Sequence, residues 1–383
     1  MGSDQRASIR TSDLPSFALN GRSDAFNDRM TGMEGLPIKL GVLADFPGGD
    51  GGQSFEWAVR LGLDEVGPRL PGPVELIREV ALGLPLPGGS EESVRAAFTR
   101  LDDAGVLAVL GPAISDNAVV VRPMADAAGL ATLNYSGGEQ TRSYAGFHYQ
   151  IGSLEDEPAF LAAHLLERDL TRVALVHDTT FVGRRMAEFF GDAAAASGLQ
   201  LVVRSTWSPG EKSADRILAT ARAVDPEVVV SLGMWDLPRA LSDEMTTMGW
   251  TVPACANSAL IYGHHSPEAA KGWEGWTYCD TFSEENLRYA ELSSRAVEAG
   301  RTGESGAAGA FDMGRLIGEG LALAHPLTRA GVLTALERVK SLPAASGHEG
   351  TLMGFGHLDR GALKGRFIVM RQWRGGESVA WTR

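Results

Sequence analysis

Two short loops carry residue types suited to holding a small polar solute. One, Gly111–Asn117 (GPAISDN), places Ser115, Asp116 and Asn117 where a helix begins; the other, Asn134–Gly138 (NYSGG), presents Ser136 with Gly137 and Gly138. Hydroxyls, free backbone N–H groups and the partial positive charge of a helix N-terminus suit an anionic or polar ligand. Each loop follows a short apolar run, Val106–Leu110 and Leu130–Leu133. Loops leaving the carboxyl ends of neighbouring parallel strands face one crevice, so both are expected to address the same ligand.

Other motifs carry less. The run PGGDGGQS (Pro47–Ser54) follows the first strand, but with Gly49 and Gly51 as a leading pair, Ser54 stands at the third glycine position. Asp50 would meet the pyrophosphate, and no Gly-Lys-Ser/Thr follows, so neither nucleotide fingerprint is satisfied. His264-His265 are consecutive and have no third ligand nearby in sequence; a surface turn is expected there, with no metal and no cofactor. His177-Asp178 ends a strand and is expected near the crevice, but no Gly-x-Ser-x-Gly elbow accompanies it. Glu155, Asp156 and Glu157 precede Pro158 and read as helix-start charges. Phe181 and Trp235 each follow a strand by a few residues. They form either an apolar wall of the crevice or ordinary packing between elements.

The elements that position these groups alternate. Strands are expected at Ile38–Ala44, Val74–Val80, Arg172–His177, Leu201–Ser205, Glu227–Leu232, Pro253–Asn257 and Trp276–Phe282, with helices between them. Alternating β and α with short loops argues for parallel sheets covered on both faces. The pattern then changes to helices over Glu285–Ala299, Ala307–His325 and Leu327–Leu342, followed by strands at Phe367–Trp373 and Val379–Trp381. Such a break suits a chain that passes back and forth between two domains.

The totals agree. At 383 residues, two domains are expected. A net charge of -13 argues against nucleic acid as a partner and against a basic membrane-binding surface. No apolar run is long enough to span a bilayer. The two cysteines, Cys255 and Cys279, lie in strand-like runs and read as buried thiols. Residues 1–36 are polar and irregular, lack the apolar region of a signal peptide and read as a disordered tail.

From Ile38 to Trp373 the chain resembles the type I periplasmic binding proteins, in particular the leucine/isoleucine/valine-binding and amide-binding group. IKLGVLADF, VLAVLGPAISD, GLATLNYSGGEQT, RVALVHDTTFVGRRMAEFF, PEVVVSLGMW and GFGHLDRGALKGRFIVMRQW occur in the family's order and at its spacing. The resemblance implies an α/β fold of two Rossmann-like lobes joined by three crossovers. Residues 37–152 and 282–354 would form lobe one, and 153–281 and 355–383 lobe two. It implies ligand contacts from Ser115, Asn117, Ser136, Gly137 and Gly138 on one lip. Phe181, Val182, Trp235, Asn257 and Ser258 would line the other. The implied function is a non-enzymatic receptor for a small molecule (an amino acid, an amide, or a keto or aromatic acid), with an ABC-type permease as partner. The absence of a signal peptide leaves a cytoplasmic sensor of the amide-binding type as the alternative.

Three positions depart from the family pattern. Gly138 lacks the hydroxyl usual there, Ile114 stands at the place of a cysteine, and neither Asn257 nor Ser258 is the acid that pairs with a ligand ammonium. A buried ammonium without a carboxylate is costly. An amino-acid ligand would therefore need a substitute charge from Asp236, Asp178 or Asp280.

Overall fold

Apolar runs that can be buried on both faces settle into parallel strands. The first, Ile38–Ala44 (β1), buries Leu40, Val42 and Leu43. Gly51–Val66 (α1) leads to Val74–Val80 (β2), which pairs in parallel with β1 along its whole length. Glu91–Asp103 (α2) is capped by Ser90, whose hydroxyl accepts the Ser93 N–H at 3.2 Å. Ala108–Leu110 (β3), Ser115–Ala128 (α3), Ala131–Asn134 (β4) and Gly146–His148 (β5) complete a five-stranded sheet in the order β2-β1-β3-β4-β5. The computed structural model describes residues 37–45, 51–135, 137–234, 236–262, 272–301 and 307–382. The expected N-terminal tail, Pro47–Asp50 of the glycine-rich loop, Ser136, Trp235 and His264-His265 lie outside the described residues.

The second series runs through Asp156–Glu167 (α4), Arg172–Asp178 (β6), Phe181–Ser197 (α5), Gln200–Trp207 (β7), Asp215–Arg222 (α6), Val228–Leu232 (β8), Leu237–Thr247 (α7), Ala254–Ala256 (β9), Ala259–Tyr262 (α8) and Thr277–Asp280 (β10). Cys255 and Cys279 sit on the adjacent strands β9 and β10, buried and free, as expected. Three helices follow, Leu287–Glu298 (α9), Ala307–Leu323 (α10) and Arg329–Leu336 (α11). The last ends earlier than expected: Ser341 takes a left-handed φ of 52°, and Leu342 already belongs to a strand. That strand, Leu342–Pro343 (β11), joins Leu352–Met353 (β12) and Leu363–Lys364 (β13) in a small antiparallel sheet. Val369–Arg374 (β14) and Glu377–Ala380 (β15) then complete a seven-stranded sheet, β15-β14-β10-β9-β8-β6-β7.

Each large sheet is the centre of a lobe, and the chain passes between them after β5, after β10 and after β13. Gly361 bridges His148 of β5, the Ala362 N–H donates to the His148 carbonyl at 2.9 Å, and β13 pairs with β12. The glycine-punctuated run 354–365 thus folds back on the first lobe before the chain leaves it.

Helix α10 ties the returning segment to the first lobe by packing against α1 with almost no side chain between the backbones. A Cβ on Gly62 would lie 2.1 Å from the Phe311 carbonyl oxygen, and one on Gly314 would lie 2.2 Å from that of Val59. Only glycine permits this approach.

Candidate ligand-binding crevice

In the first lobe the crevice is organised by Asp45, fully buried at the carboxyl end of β1. Its carboxylate accepts the N–H groups of Ala113 at 3.0 Å and Ile114 at 2.8 Å, and the Asn117 Nδ2 at 2.9 Å. These bonds fix the loop that opens α3. Asn117 also donates to the Leu84 carbonyl at 2.9 Å and accepts the Leu84 N–H at 2.8 Å. Its own N–H goes to the Ile114 carbonyl. The polar groups of Asn117 are therefore engaged within the scaffold. Ser115, beside it, is buried at the first position of α3.

The second loop is held by Thr141. The Gly138 N–H donates to the Thr141 hydroxyl at 3.1 Å, which in turn donates to the Gly138 carbonyl at 2.9 Å. Gly137, at φ 152°, has no room for a side chain: a Cβ would lie 2.4 Å from Thr141 Oγ1. The Gly138 N–H thus closes a turn.

The second lobe repeats the arrangement with Asp178 at the carboxyl end of β6. Asp178 accepts the Thr180 N–H at 2.9 Å, the Thr180 hydroxyl at 2.5 Å and the Met234 N–H at 2.5 Å. Burial pushes the carboxyls of both Asp45 and Asp178 above the usual range, against these bonds. Asn257 accepts the Gly233 N–H at 3.3 Å and donates to its carbonyl at 3.0 Å. His177 sits between the Asp178 carbonyl, 2.8 Å from Nδ1, and Arg204, whose Nε is 3.3 Å from Nε2. Asp178, His177 and Asn257 therefore knit the ends of neighbouring strands together. Asp236 is exposed and lies 3.8 Å from Arg239.

The two lips meet at the N-termini of α3 and α5. Asp116 accepts the Phe181 N–H at 3.2 Å, and the Val182 N–H adds to its stabilisation. Its other oxygen, Oδ2, is buried with no partner among the described residues. Burial, reinforced by the nearby Asp178, raises the Asp116 carboxyl to about 6. Alongside, Arg185 of α5 pairs with Glu139 of the second loop. Asp116 and Glu139 thus tie the two loops to the first turns of α5. Phe181 packs partly against the core, and Val182 is buried.

The floor holds a residue that the sequence pattern marks only as a helix-start charge. Glu157, in the first turn of α4, is 1% exposed, and its Oε2 accepts the Ser258 N–H at 3.0 Å. Oε1 has no partner among the described residues. Burial raises the carboxyl to about 8, with Asp280 at the end of β10 adding repulsion. An acid beside Pro158 in a first turn usually faces water, so local pattern gives no sign of this burial. Of the three substitute acids, Asp280 acts on Glu157, whose carboxyl holds the Ser258 N–H. Burial lifts the phenol of Tyr135, just past β4, above its ordinary value, and the charges of Asp280 and Asp312 add to the rise. It packs against Phe55 and Tyr149, with ring centres 6.1 and 6.3 Å away. Tyr149 donates to Asp312 at 2.6 Å.

Among the described residues, no three His, Cys, Asp or Glu gather as a metal site, and no helix is long and apolar enough to cross a membrane. None of the curated proteins compared matches the chain. Solved structures do. A type 1 periplasmic binding protein from Bordetella pertussis superposes with a TM-score of 0.78 at 15% identity, covering 91% of this chain and 100% of that one. The branched-chain amino acid transporter substrate-binding protein LivJ of Streptococcus pneumoniae, in complex with isoleucine, gives 0.76 at 16%, covering 90% and 98%. An ABC transporter substrate-binding protein from Desulfitobacterium hafniense, in complex with Leu, gives 0.75 at 19%, covering 90% and 100%. At these identities the superpositions establish a shared fold. Residues 37–367 match the family model described as periplasmic binding protein, and with that match the chain belongs to the periplasmic binding protein family, in its two-lobed type I form.

Proposed function

We propose that this chain is a solute-binding receptor that closes its lobes on a small carboxylate-, amide- or amino-acid-like ligand and presents it to an ABC-type permease. The first lobe would comprise residues 37–152 and 282–364, and the second the remainder of the described chain. The observation that carries the reading is the Asp116–Phe181 contact, which sets two helix N-termini, one from each lobe, against the same crevice. Helix N-termini offer N–H donors and positive potential to an anionic group. Ser115 stands at one of them, and Phe181 and Val182 provide apolar surface at the other. A binding role without catalysis is favoured because the His177 and Asp178 side chains at the end of β6 are committed to the backbone and to neighbouring strands.

Isothermal titration with amino acids, their amides, and oxo and aromatic acids tests this reading. Saturable heat from at least one, accompanied by a more compact shape in solution scattering, is the expected result. Lobe closure follows only from differential affinity for the closed form, so binding without compaction would argue against a clamp.

A further inference from the structure

We propose that Glu157 receives a cationic nitrogen of the ligand, taking the place of the acid missing at Asn257-Ser258, and that it exchanges a proton for that cation on binding. This rests on reading the crevice as a solute site. Four observations carry it. The carboxyl is essentially sealed from solvent and is held by the Ser258 N–H at 3.0 Å, the Ser258 hydroxyl and the Gly152 N–H, yet its Oε1 has no partner among the described residues. It is therefore the acid coupled to the backbone of the loop whose own side chains include none.

Second, Glu157 lies where strand ends from both sheets converge. Ser258, whose N–H it accepts, follows β9; Asp280, whose charge acts on it, ends β10; and Tyr135, which also feels Asp280, follows β4. That is where a ligand held between two parallel α/β lobes sits. Third, the titratable groups facing it are acids and a thiol. Asp280 raises its proton affinity, and Cys279 of β10 donates toward its backbone carbonyl at 3.9 Å. Arg142 pairs with Glu155 at the start of α4, and Arg168 at its end reaches toward Thr277. Fourth, an ammonium carries three N–H donors and no acceptor, which suits a site with an unsatisfied carboxyl oxygen and an acidic neighbour.

In the empty crevice, burial keeps Glu157 protonated at neutral pH. When the ammonium arrives, the carboxylic O–H bond breaks, the proton leaves to solvent, and the carboxylate pairs with the cation. Charge is conserved, since one positive charge enters as another leaves. Ligand affinity then rises with pH until Glu157 is ionised in the empty protein.

The test is isothermal titration of the full chain with L-leucine and L-phenylalanine, each paired with the oxo acid of the same carbon skeleton. It is run near pH 7 in buffers of different ionisation heat. The expected result is binding of an amino acid in preference to its oxo acid, with release of about one proton per ligand. Glu157→Gln should weaken that binding by at least about tenfold while keeping a cooperative melt. The proton count on the unaltered protein stands whether or not the variant folds. An oxo acid bound as tightly as its amino acid, no proton released, or a folded E157Q that binds normally would each overturn this proposal and leave the receptor reading standing. Heat from none of the four would overturn both.

Discussion

The carboxylate of Asp116, at the N-terminus of α3 in the first lobe, accepts the backbone N–H of Phe181, at the N-terminus of α5 in the second, at 3.2 Å. The bond has two opposing effects. It joins the lobes, but it does so by burying a carboxyl close to Asp178. The net result is a carboxyl raised to about 6, so burial outweighs the two N–H groups.

By linkage, closure therefore takes up a proton on Asp116 if the open form leaves this side chain in water. Closing of the ligand-free protein should weaken as pH rises from about 4 to about 6, by roughly 2 kcal/mol in all. Asp116→Asn keeps an acceptor for the Phe181 N–H without the charge. It should flatten this dependence and favour the compact form at neutral pH. Solution scattering across that range provides the check, and identical profiles for both proteins would contradict the assignment.

Glu157 has a consequence for stability as well as for binding. Its folded-state proton affinity is raised to about 8, so the native state holds a proton that the unfolded chain releases near 4.3. Stability contributed by this group is fully present below the lower value and is lost as pH rises through the upper one. Asp45, Asp178 and Asp312 are shifted in the same direction and add to the slope. E157Q should therefore melt higher than the unaltered chain above about pH 7, with the difference shrinking toward acid pH. Thermal melts at several pH values would reveal it.

Asn117 and Ser115 are two residues apart but should respond differently to alanine. Asn117→Ala leaves the Leu84 N–H and part of the Asp45 carboxylate unpaired in the interior. The expected loss is about 2–4 kcal/mol of stability, read from denaturant unfolding. Ser115→Ala should instead weaken ligand binding, by about 1 kcal/mol, with a smaller effect on unfolding. Equal effects of the two substitutions on unfolding would place Ser115 in the scaffold.

The α1–α10 contact leaves no room for a side chain at either of its glycines. Gly62→Ala or Gly314→Ala puts a methyl group little more than 2 Å from a carbonyl oxygen of the facing helix. The backbones must separate, at a cost of about 1–3 kcal/mol or more. Because α10 belongs to the segment that has returned from the second lobe, the same substitutions should loosen the connection between lobes. Hydrogen exchange in 307–323 would report it.

Much of the architecture was legible in the sequence because each strand is a short apolar run bounded by turn residues. β1 and β2 fall at their expected bounds, and α3 opens at Ser115 as expected. The small antiparallel sheet escaped notice because two-residue strands carry no periodicity. Pairing of β13 with β12 is likewise a tertiary event that no local pattern announces.

The roles within the crevice divide along the same line. Sequence by itself determined that Ser115, Asp116 and Asn117 open a helix after a strand, since spacing and residue type alone fix that placement. Which of their polar groups are already committed was decided by the tertiary structure. Asp45 lies 72 residues from Asn117, Asp116 meets Phe181 across 65, and Glu157 reaches Ser258 across 101. An acid in the first turn of a helix looks the same in sequence whether it faces water or a sealed floor. The difference lies in which strand ends the fold brings above it.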